Sequence, residues 1–287
     1  MGQAKLGKAA FDAFWRDGFY LQRSFFDPKK VEAAAAWLRS QDHSKMAKSW
    51  TEQEPAVELA VWPTVHTGDH PIAELANDRD MLDMAGELMG APVYIWSSKV
   101  NIKAAWCGTA EYHHQDLVYW KDRGYPRDEM LSCMVYLEPH TIQNAALVVL
   151  PGTHKYGYIE HEPFININGL SKYMVPPATL SDLYRKHGYK VVEAQPGDVL
   201  FFHTSLVHGS SHNISPHSRT ILLSQLNTVG NEPKDVSENA RLFNLRRSQQ
   251  EKEEAERRYR FFTEKYEKQL GSKDVTFGAP IPERERK

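Results

Sequence analysis

Apolar residues recur at two different spacings along the chain, and the change of spacing divides it. Up to about residue 92 the spacing is mainly helical. Phe11, Phe14 and Trp15 share one face, and Gly18 stops the run. Asp27-Pro28 reads as a helix start, an acidic cap followed by a proline in the first turn, and an alanine-rich helix runs on from Val31 to Leu38. Asn77 or Asp78 caps a further helix carrying Met81, Leu82, Ala85, Leu88 and Met89; Gly90 ends it and Pro92 prevents its continuation.

From Val93 the pattern is that of strands. Val93 to Lys103, Leu131 to Leu137, Ala146 to Leu150, Val191 to Glu193, Val199 to His203 and Arg219 to Leu226 are short apolar runs. Pro151-Gly152 and Gln195-Pro196-Gly197-Asp198 are turns between them. Strands that do not alternate regularly with helices predict an antiparallel sandwich or barrel. Ile165 to Lys190 is polar and irregular, and an excursion of that length over a β core is expected to be a lid.

Arg246 to Leu270 reads as a charged helix. Glu253/Arg257, Glu254/Arg258, Glu256/Arg260 and Glu264/Lys268 stand four apart with the acid first, and Tyr259, Phe262, Tyr266 and Leu270 make one apolar stripe. That stripe suits packing on its own domain or a subunit contact, so monomer and homodimer both stay open. Pro280 to Lys287 is read as a disordered end. The expected organisation is one domain over 1–287: a helical N-terminal region over 1–92, a β core 93–228 with an insertion at 157–190, and a helix within 237–270.

Composition narrows the classes. The chain has 287 residues, 41% hydrophobic and 25% charged, which excludes wholesale disorder. Thirty-five basic against 37 acidic residues leave a net charge of −2, so no global field favours nucleic acid or membrane surfaces. No apolar run reaches the roughly 18 residues of a membrane span, and Met1 to Lys8 lacks the apolar centre of a secretory signal. Cys107 and Cys133 are the only cysteines, too few for a disulfide framework or a zinc ribbon. A cytoplasmic enzyme acting on a small molecule is the expectation. Walker, dinucleotide-binding, nucleophile-elbow, HExxH and CxxC motifs are all absent.

Thirteen histidines are the compositional oddity. Only His114 has a carboxylate two residues on, Asp116, and on a strand that spacing turns both side chains to one face. An imidazole and a carboxylate so placed can hold a divalent ion, and a second histidine completes a facial triad suited to Fe(II) and oxygen. The candidates are His203, His208, His212 and His217. His208 is preferred because Arg219 follows eleven positions later, and a guanidinium near such a metal can take the far carboxylate of a dicarboxylate bidentately. His113 is expected to face away, His154 to be a turn residue, and His203 to lie in the core.

These motifs, with Asn144-Ala145-Ala146-Leu147-Val148-Val149-Leu150-Pro151-Gly152-Thr153-His154-Lys155, Gly197 to His203, His208-Gly209-Ser210 and the opening Phe14 to Phe19, resemble the phytanoyl-CoA dioxygenase family from about Phe11 to Asn227. The resemblance implies a double-stranded β-helix (jelly-roll, cupin-like) core, mainly β with flanking helices. It also implies an Fe(II)- and 2-oxoglutarate-dependent dioxygenase that consumes O2, hydroxylates an unactivated C–H and releases succinate and CO2, with ascorbate stimulatory in vitro. His114, Asp116 and His208 would hold iron, and Arg219 would pair with the distal carboxylate of 2-oxoglutarate. Asp116 argues for hydroxylation over halogenation, although desaturation and cyclisation use the same triad.

Ser97 to Lys103, Asp116 to Trp120 and Leu131 to Cys133 are similar to the ectoine hydroxylase and free amino-acid hydroxylase branch. There, the positions of Asn101 and Ser132 help hold 2-oxoglutarate, and those of Lys99 and Trp120 lie near substrate. Lys99 stands where ectoine hydroxylases carry arginine, and Met134 where acyl-CoA enzymes carry tryptophan. The expected substrate is a small polar metabolite such as a free amino acid or similar zwitterion. The alternatives are a larger natural product, an acyl thioester, an aminophosphonate, or a jelly-roll that binds a ligand without turnover. Lys99 by itself also suits a salt bridge to a protein carboxylate.

Overall fold

The computed structural model describes residues 6–41, 59–63, 65–121, 125, 127–165 and 171–231. The expected helix within 237–270 lies outside the described residues. In chain order the elements are α1 (Lys8–Asp17), β1 (Phe19–Gln22), α2 (Pro28–Ser40), β2 (Leu59–Pro63), α3 (Pro71–Ala76), α4 (Arg79–Met89) and β3 (Val93–Lys103). Then come β4 (Glu111–His114), β5 (Met130–Tyr136), β6 (Leu147–Val149), β7 (Glu162–Ile165), β8 (Ser171–Met174), α5 (Pro177–His187), β9 (Lys190–Val192), β10 (Val199–His203), β11 (His208–Ser210) and β12 (Arg219–Thr228).

Local chemistry sets the helix ends. The Asp27 carboxylate accepts the Lys29 N–H at 2.8 Å with Pro28 in the first turn, and Asp78 accepts the Met81 N–H at 3.2 Å. α1 ends at Gly18 and α4 at Gly90, both left-handed. None of the described helices is long and apolar enough to cross a membrane.

Two antiparallel sheets form the core. One has six strands in the order β1-β10-β5-β12-β3-β2, the other four in the order β4-β11-β6-β9, and β7 pairs with β8 alone. The long strands are apolar on both faces because both faces are covered. Leu131, Cys133 and Val135 of β5, Val199 and Phe201 of β10, and Leu222 and Leu226 of β12 pack under the helices with Phe14, Leu38, Leu75, Met81 and Leu88. The alternate positions Met134, Tyr136, Leu200, Phe202, Ile221 and Leu223 meet Leu147, Val149 and Val192 of the smaller sheet. Truncating a fully buried Leu131 or Leu222 to alanine would cost about 2–5 kcal/mol.

Three expectations need correction. The region before residue 93 is not only helical, because β1 and β2 occupy the two edges of the large sheet. The turn after β9 explains the β1 edge: the buried Asp198 carboxylate accepts N–H groups of Ser24 and Gln195 and pairs with Arg23 at 2.7 Å, tying β1 to β10. The described part of 165–190 is not irregular either. It holds the second strand of a hairpin and all of α5, which starts at Pro177, the residue type suited to a first turn. Third, Asp116 is not on a strand: β4 ends at His114, and Asp116–Tyr119 is a 3-10 turn.

Candidate iron and 2-oxoglutarate site

The site lies between the two sheets, and β-strand register places its members. His208, at the start of β11, is directly opposite His114 at the end of β4, on a neighbouring strand rather than across the barrel. The next pairing is Ser210 with Glu111, so β4 carries one residue more than β11 between the two pairs. That bulge brings Glu111 and His114 into register with two residues on one face of β11. Gly209 allows the close approach: a Cβ there would lie 2.9 Å from the Glu111 carbonyl oxygen.

Each histidine is held in one tautomer. His114 Nδ1 lies 2.7 Å from the Tyr112 carbonyl and His208 Nδ1 lies 2.9 Å from the Leu206 carbonyl. A carbonyl only accepts, so each Nδ1 carries the proton and each Nε2 lone pair points inward. Both Nε2 atoms stand 3.7 Å from Asp116 Oδ1. Ligand atoms of the three residues all lie within 4.8 Å of one another, the single group of this kind among the described residues. Donor set and spacing fit a divalent iron bound on one face.

The electrostatics agree with that use. Burial opposes ionisation of Asp116, but its neighbours His114, His208 and Lys99 outweigh it and hold the carboxyl well below its usual range. Burial, helped by the charge of His114, pushes His208 down to about 4, so it is a neutral imidazole at neutral pH. Ser132 on β5 donates its hydroxyl to Asp116 Oδ2 at 3.0 Å.

Arg219 opens β12 and is buried. Its Nη1 donates to the carbonyl of Ala145, a non-glycine residue held at φ 72°. Its Nε has no partner, and burial lowers its pKa to about 10. An orphaned guanidinium N–H in a closed site fits an anionic ligand such as the distal carboxylate of 2-oxoglutarate. Asn101 Oδ1, on β3, is likewise buried and unpartnered. The Asn144-Ala145-Ala146 turn that supplies the carbonyl is fixed by Asn144, which accepts the Thr141 N–H and donates to the Pro139 carbonyl, each at 2.7 Å.

Lys99 on β3 lies within the field of Asp116, Lys172 and Glu111, and burial lowers its pKa. Trp120 is buried at the end of the 3-10 turn that begins with Asp116. His113 turns away and lines an open groove of about 570 Å³ with Leu180, Tyr184 and Tyr189. His203 is buried and accepts the Ser205 N–H, while His212 and His217 are exposed.

Several participants escape a sequence reading. Glu111 pairs with Lys172 of β8 at 3.2 Å, Tyr119 packs between the rings of His114 and Tyr173 at 5.9 and 5.6 Å, and Lys103 donates to Ser210 Oγ and the Ser211 carbonyl. Gln115 is fully buried. Its side chain donates to the Gly157 and Ser205 carbonyls and accepts the Ile159 N–H, binding the metal-ligand turn to the start of the insertion. Period-two counting from Lys99 and Asn101 reaches Lys103; no local signal marks Glu111 or Lys172.

Comparison with known proteins agrees with this geometry. Residues 14–221 match the model of the phytanoyl-CoA dioxygenase (PhyH) family. The chain belongs to that family. It is 30% identical over 233 residues to the ectoine dioxygenase of Sphingopyxis alaskensis, covering 78% of this chain and 75% of that protein. It is 30% identical over 179 residues to the L-proline trans-4-hydroxylase of Streptomyces griseoviridis, covering 58% of this chain and 67% of that protein. The crystal structure of EctD from S. alaskensis with 2-oxoglutarate and 5-hydroxyectoine superposes with a TM-score of 0.66 at 29% identity, over 82% of this chain and 80% of that one. The carbocyclase SnoK, at 20% identity and a TM-score of 0.62, shares the fold. Like these oxygenases, this PhyH member has a jelly-roll core.

Proposed function

We propose that His114, Asp116 and His208 hold the iron of an Fe(II)- and 2-oxoglutarate-dependent dioxygenase, and that Arg219 receives the distal carboxylate of its cosubstrate. Bound iron and 2-oxoglutarate supply the oxidising chemistry, consuming O2 and releasing succinate and CO2. The reaction is hydroxylation of an unactivated C–H in a small polar metabolite, with a free amino acid or similar zwitterion as the substrate. The observation that carries this reading is the convergence of two histidines, each with its Nδ1 on a backbone carbonyl, on one buried carboxylate, in a core that also buries an arginine with an unpartnered N–H.

The chain's own residues divide the work. Ser132 and the Tyr112 and Leu206 carbonyls orient the three ligands. Lys99 offers a cation beside the metal for a substrate carboxylate, and the relatives that act on ectoine and L-proline support a zwitterion. Asn101 is assigned to the cosubstrate and Trp120 to the substrate by the resemblance to the amino-acid hydroxylase branch. The hairpin β7–β8 and α5 form a lid that excludes water, supported by the Val175 N–H bond to the His113 carbonyl at 2.8 Å and the Lys172–Glu111 pair. The whole acts as one domain. Two free cysteines suit the reducing cytoplasm.

The test is succinate formation from 2-oxoglutarate under air with Fe(II) and ascorbate, against free amino acids, ectoine-like zwitterions, aminophosphonates and acyl-CoA thioesters. His208→Ala is the blank. Stimulation by an amino acid or zwitterion, absent in the blank, is expected. Stimulation by acyl thioesters alone would overturn the substrate class, and failure to bind iron or 2-oxoglutarate would overturn the enzyme.

A further inference from the structure

The hairpin β7–β8 has its base at the pairing of Glu162 with Met174. His161 stands one residue before that pair and Val175 one residue after it. Both reach the segment that carries His114. The Val175 N–H donates to the His113 carbonyl at 2.8 Å, and the Gln115 N–H donates to His161 Nε2 at 3.0 Å. These contacts take the two peptide groups that flank the His114 Cα. The backbone of one candidate iron ligand is therefore held on both sides by the two feet of the hairpin.

The His161 ring is set up to accept. Its Nδ1 lies 2.6 Å from the Ile159 carbonyl, which has no proton to give, so Nδ1 carries the proton and Nε2 keeps its lone pair for the Gln115 N–H. Tyr158 stacks on the imidazole, with ring centroids 5.6 Å apart and planes at 29°, and fixes its plane. The Gln115 side chain ties the same stretch from the other direction. It accepts the Ile159 N–H at 2.8 Å and donates to the Gly157 carbonyl at 2.7 Å. Gln115 itself lies between the ligands His114 and Asp116. Moving residues 157–161 therefore strains three hydrogen bonds to the ligand turn.

We infer that His161 is a positioning residue that couples the base of the hairpin to the metal ligands. It holds the peptide between His114 and Gln115, so filling the metal site tightens the hairpin base and releasing that base loosens the site. The coupling is reciprocal by thermodynamic necessity. The inference rests on the metal reading given above. Lys172 pairs with Phe164, above the base, and takes no part in this link. A plain structural tether at His161 would leave the hairpin base indifferent to the metal.

The test joins anaerobic Fe(II) titration to hydrogen exchange at the Ile159 and Val175 amides, with and without Fe(II). In the wild type, Fe(II) is expected to slow both amides more than those of the remote helix α2. His161→Phe keeps a ring for Tyr158 and removes the acceptor. It should weaken Fe(II) binding by about tenfold to a hundredfold, the usual loss for an outer partner of a metal ligand, and abolish the extra protection. His161→Gln, whose side-chain oxygen can take the place of Nε2, should restore both. Unchanged iron affinity in His161→Phe, or amides that exchange faster by the same factor with and without Fe(II), would overturn the inference and leave a tether. If His161→Phe does not fold, the wild type decides: protection by Fe(II) at Ile159 and Val175 no greater than in α2 would overturn it. Wild-type protein that binds no Fe(II) would overturn the metal reading with it; wild-type protein that binds Fe(II) without the extra protection removes the coupling alone.

Discussion

The hydroxyl of Ser132, on the six-stranded sheet, donates to Asp116 Oδ2 at 3.0 Å, and Asp116 follows the edge strand of the four-stranded sheet. One hydrogen bond thus crosses the sandwich and ends on a candidate metal ligand. It leaves Oδ1 facing both histidines. Such outer partners fix ligand orientation, and losing one costs about tenfold to a hundredfold in metal affinity. Ser132→Ala should weaken Fe(II) binding by that order, measured by anaerobic titration, with the melting temperature little changed. Unchanged iron affinity would show that Asp116 is oriented without it.

Gly209 makes the opposition of His114 and His208 possible. A methyl group there would lie 2.9 Å from the Glu111 carbonyl and 3.0 Å from His113 Cγ, mostly rigid strand. Gly209→Ala should therefore push β11 from β4, destabilise the fold by about 1–3 kcal/mol and weaken iron binding. Urea unfolding gives the first and metal titration the second. A variant that is destabilised but binds iron as tightly as wild type would show that the spacing of the two strands does not set the site.

What the sequence discloses and what it hides have one physical cause. α1, α2 and α4 are legible because their signals are local: Asp27 and Asp78 cap, Gly18 and Gly90 stop. The long strands are legible from apolar runs that both layers bury. β1 and β2 are hidden, being short edge strands whose pairing depends on distant partners such as Asp198. His114, Asp116, His208 and Arg219 stand out by spacing and residue type. The first three converge between the sheets, and Arg219 is buried at the start of β12. Asp116 reaches the site from a turn, whereas the two-residue spacing suggests a strand. Glu111 faces inward through a bulge, and Lys172 arrives on a hairpin, neither of which any run of letters announces. The hydroxyl of Ser132, a residue singled out by the resemblance alone, donates to Asp116.

His154 provides a pH-dependent term away from the metal. Burial, then the charge of His203, lowers its pKa to about 4, and its ring lies 3.2 Å from the Trp15 carbonyl. A histidine whose folded value lies below its unfolded one favours the neutral form. Its contribution is intact above about pH 6.5, falls as pH drops through the window between the unfolded and folded values, and is lost below about 4. Stability should decline on acidification across that window. His154→Gln keeps a donor for the Trp15 carbonyl and cannot titrate, so its stability should depend less on pH, by up to one proton. An unaltered pH slope in chemical denaturation would assign the decline to other groups.

The Glu111–Lys172 pair joins β4 to the hairpin beside the candidate metal. Its two N–O distances are 3.2 and 3.3 Å, longer than a tight charge-assisted bond, and both side chains are about three-quarters buried, at 28% and 23% exposure. Burial opposes ionisation of Glu111, but Lys172, together with His114 and Lys103, outweighs it and lowers the carboxyl. The pairing is therefore present above the usual carboxylate range and dissolves as pH falls through the folded value. Tyr173 on the same strand meets Tyr119, whose ring lies against His114, so the hairpin has two points of attachment at the site. Lys172→Met removes one and leaves Glu111 without its partner. Substrate KM should rise several-fold, and hydrogen exchange in β7 and β8 should accelerate, while iron affinity stays near wild type because no ligand is touched. Faster exchange with unchanged KM would make the hairpin a cover that does not meet the substrate; unchanged exchange and KM together would show that the pair does not hold it.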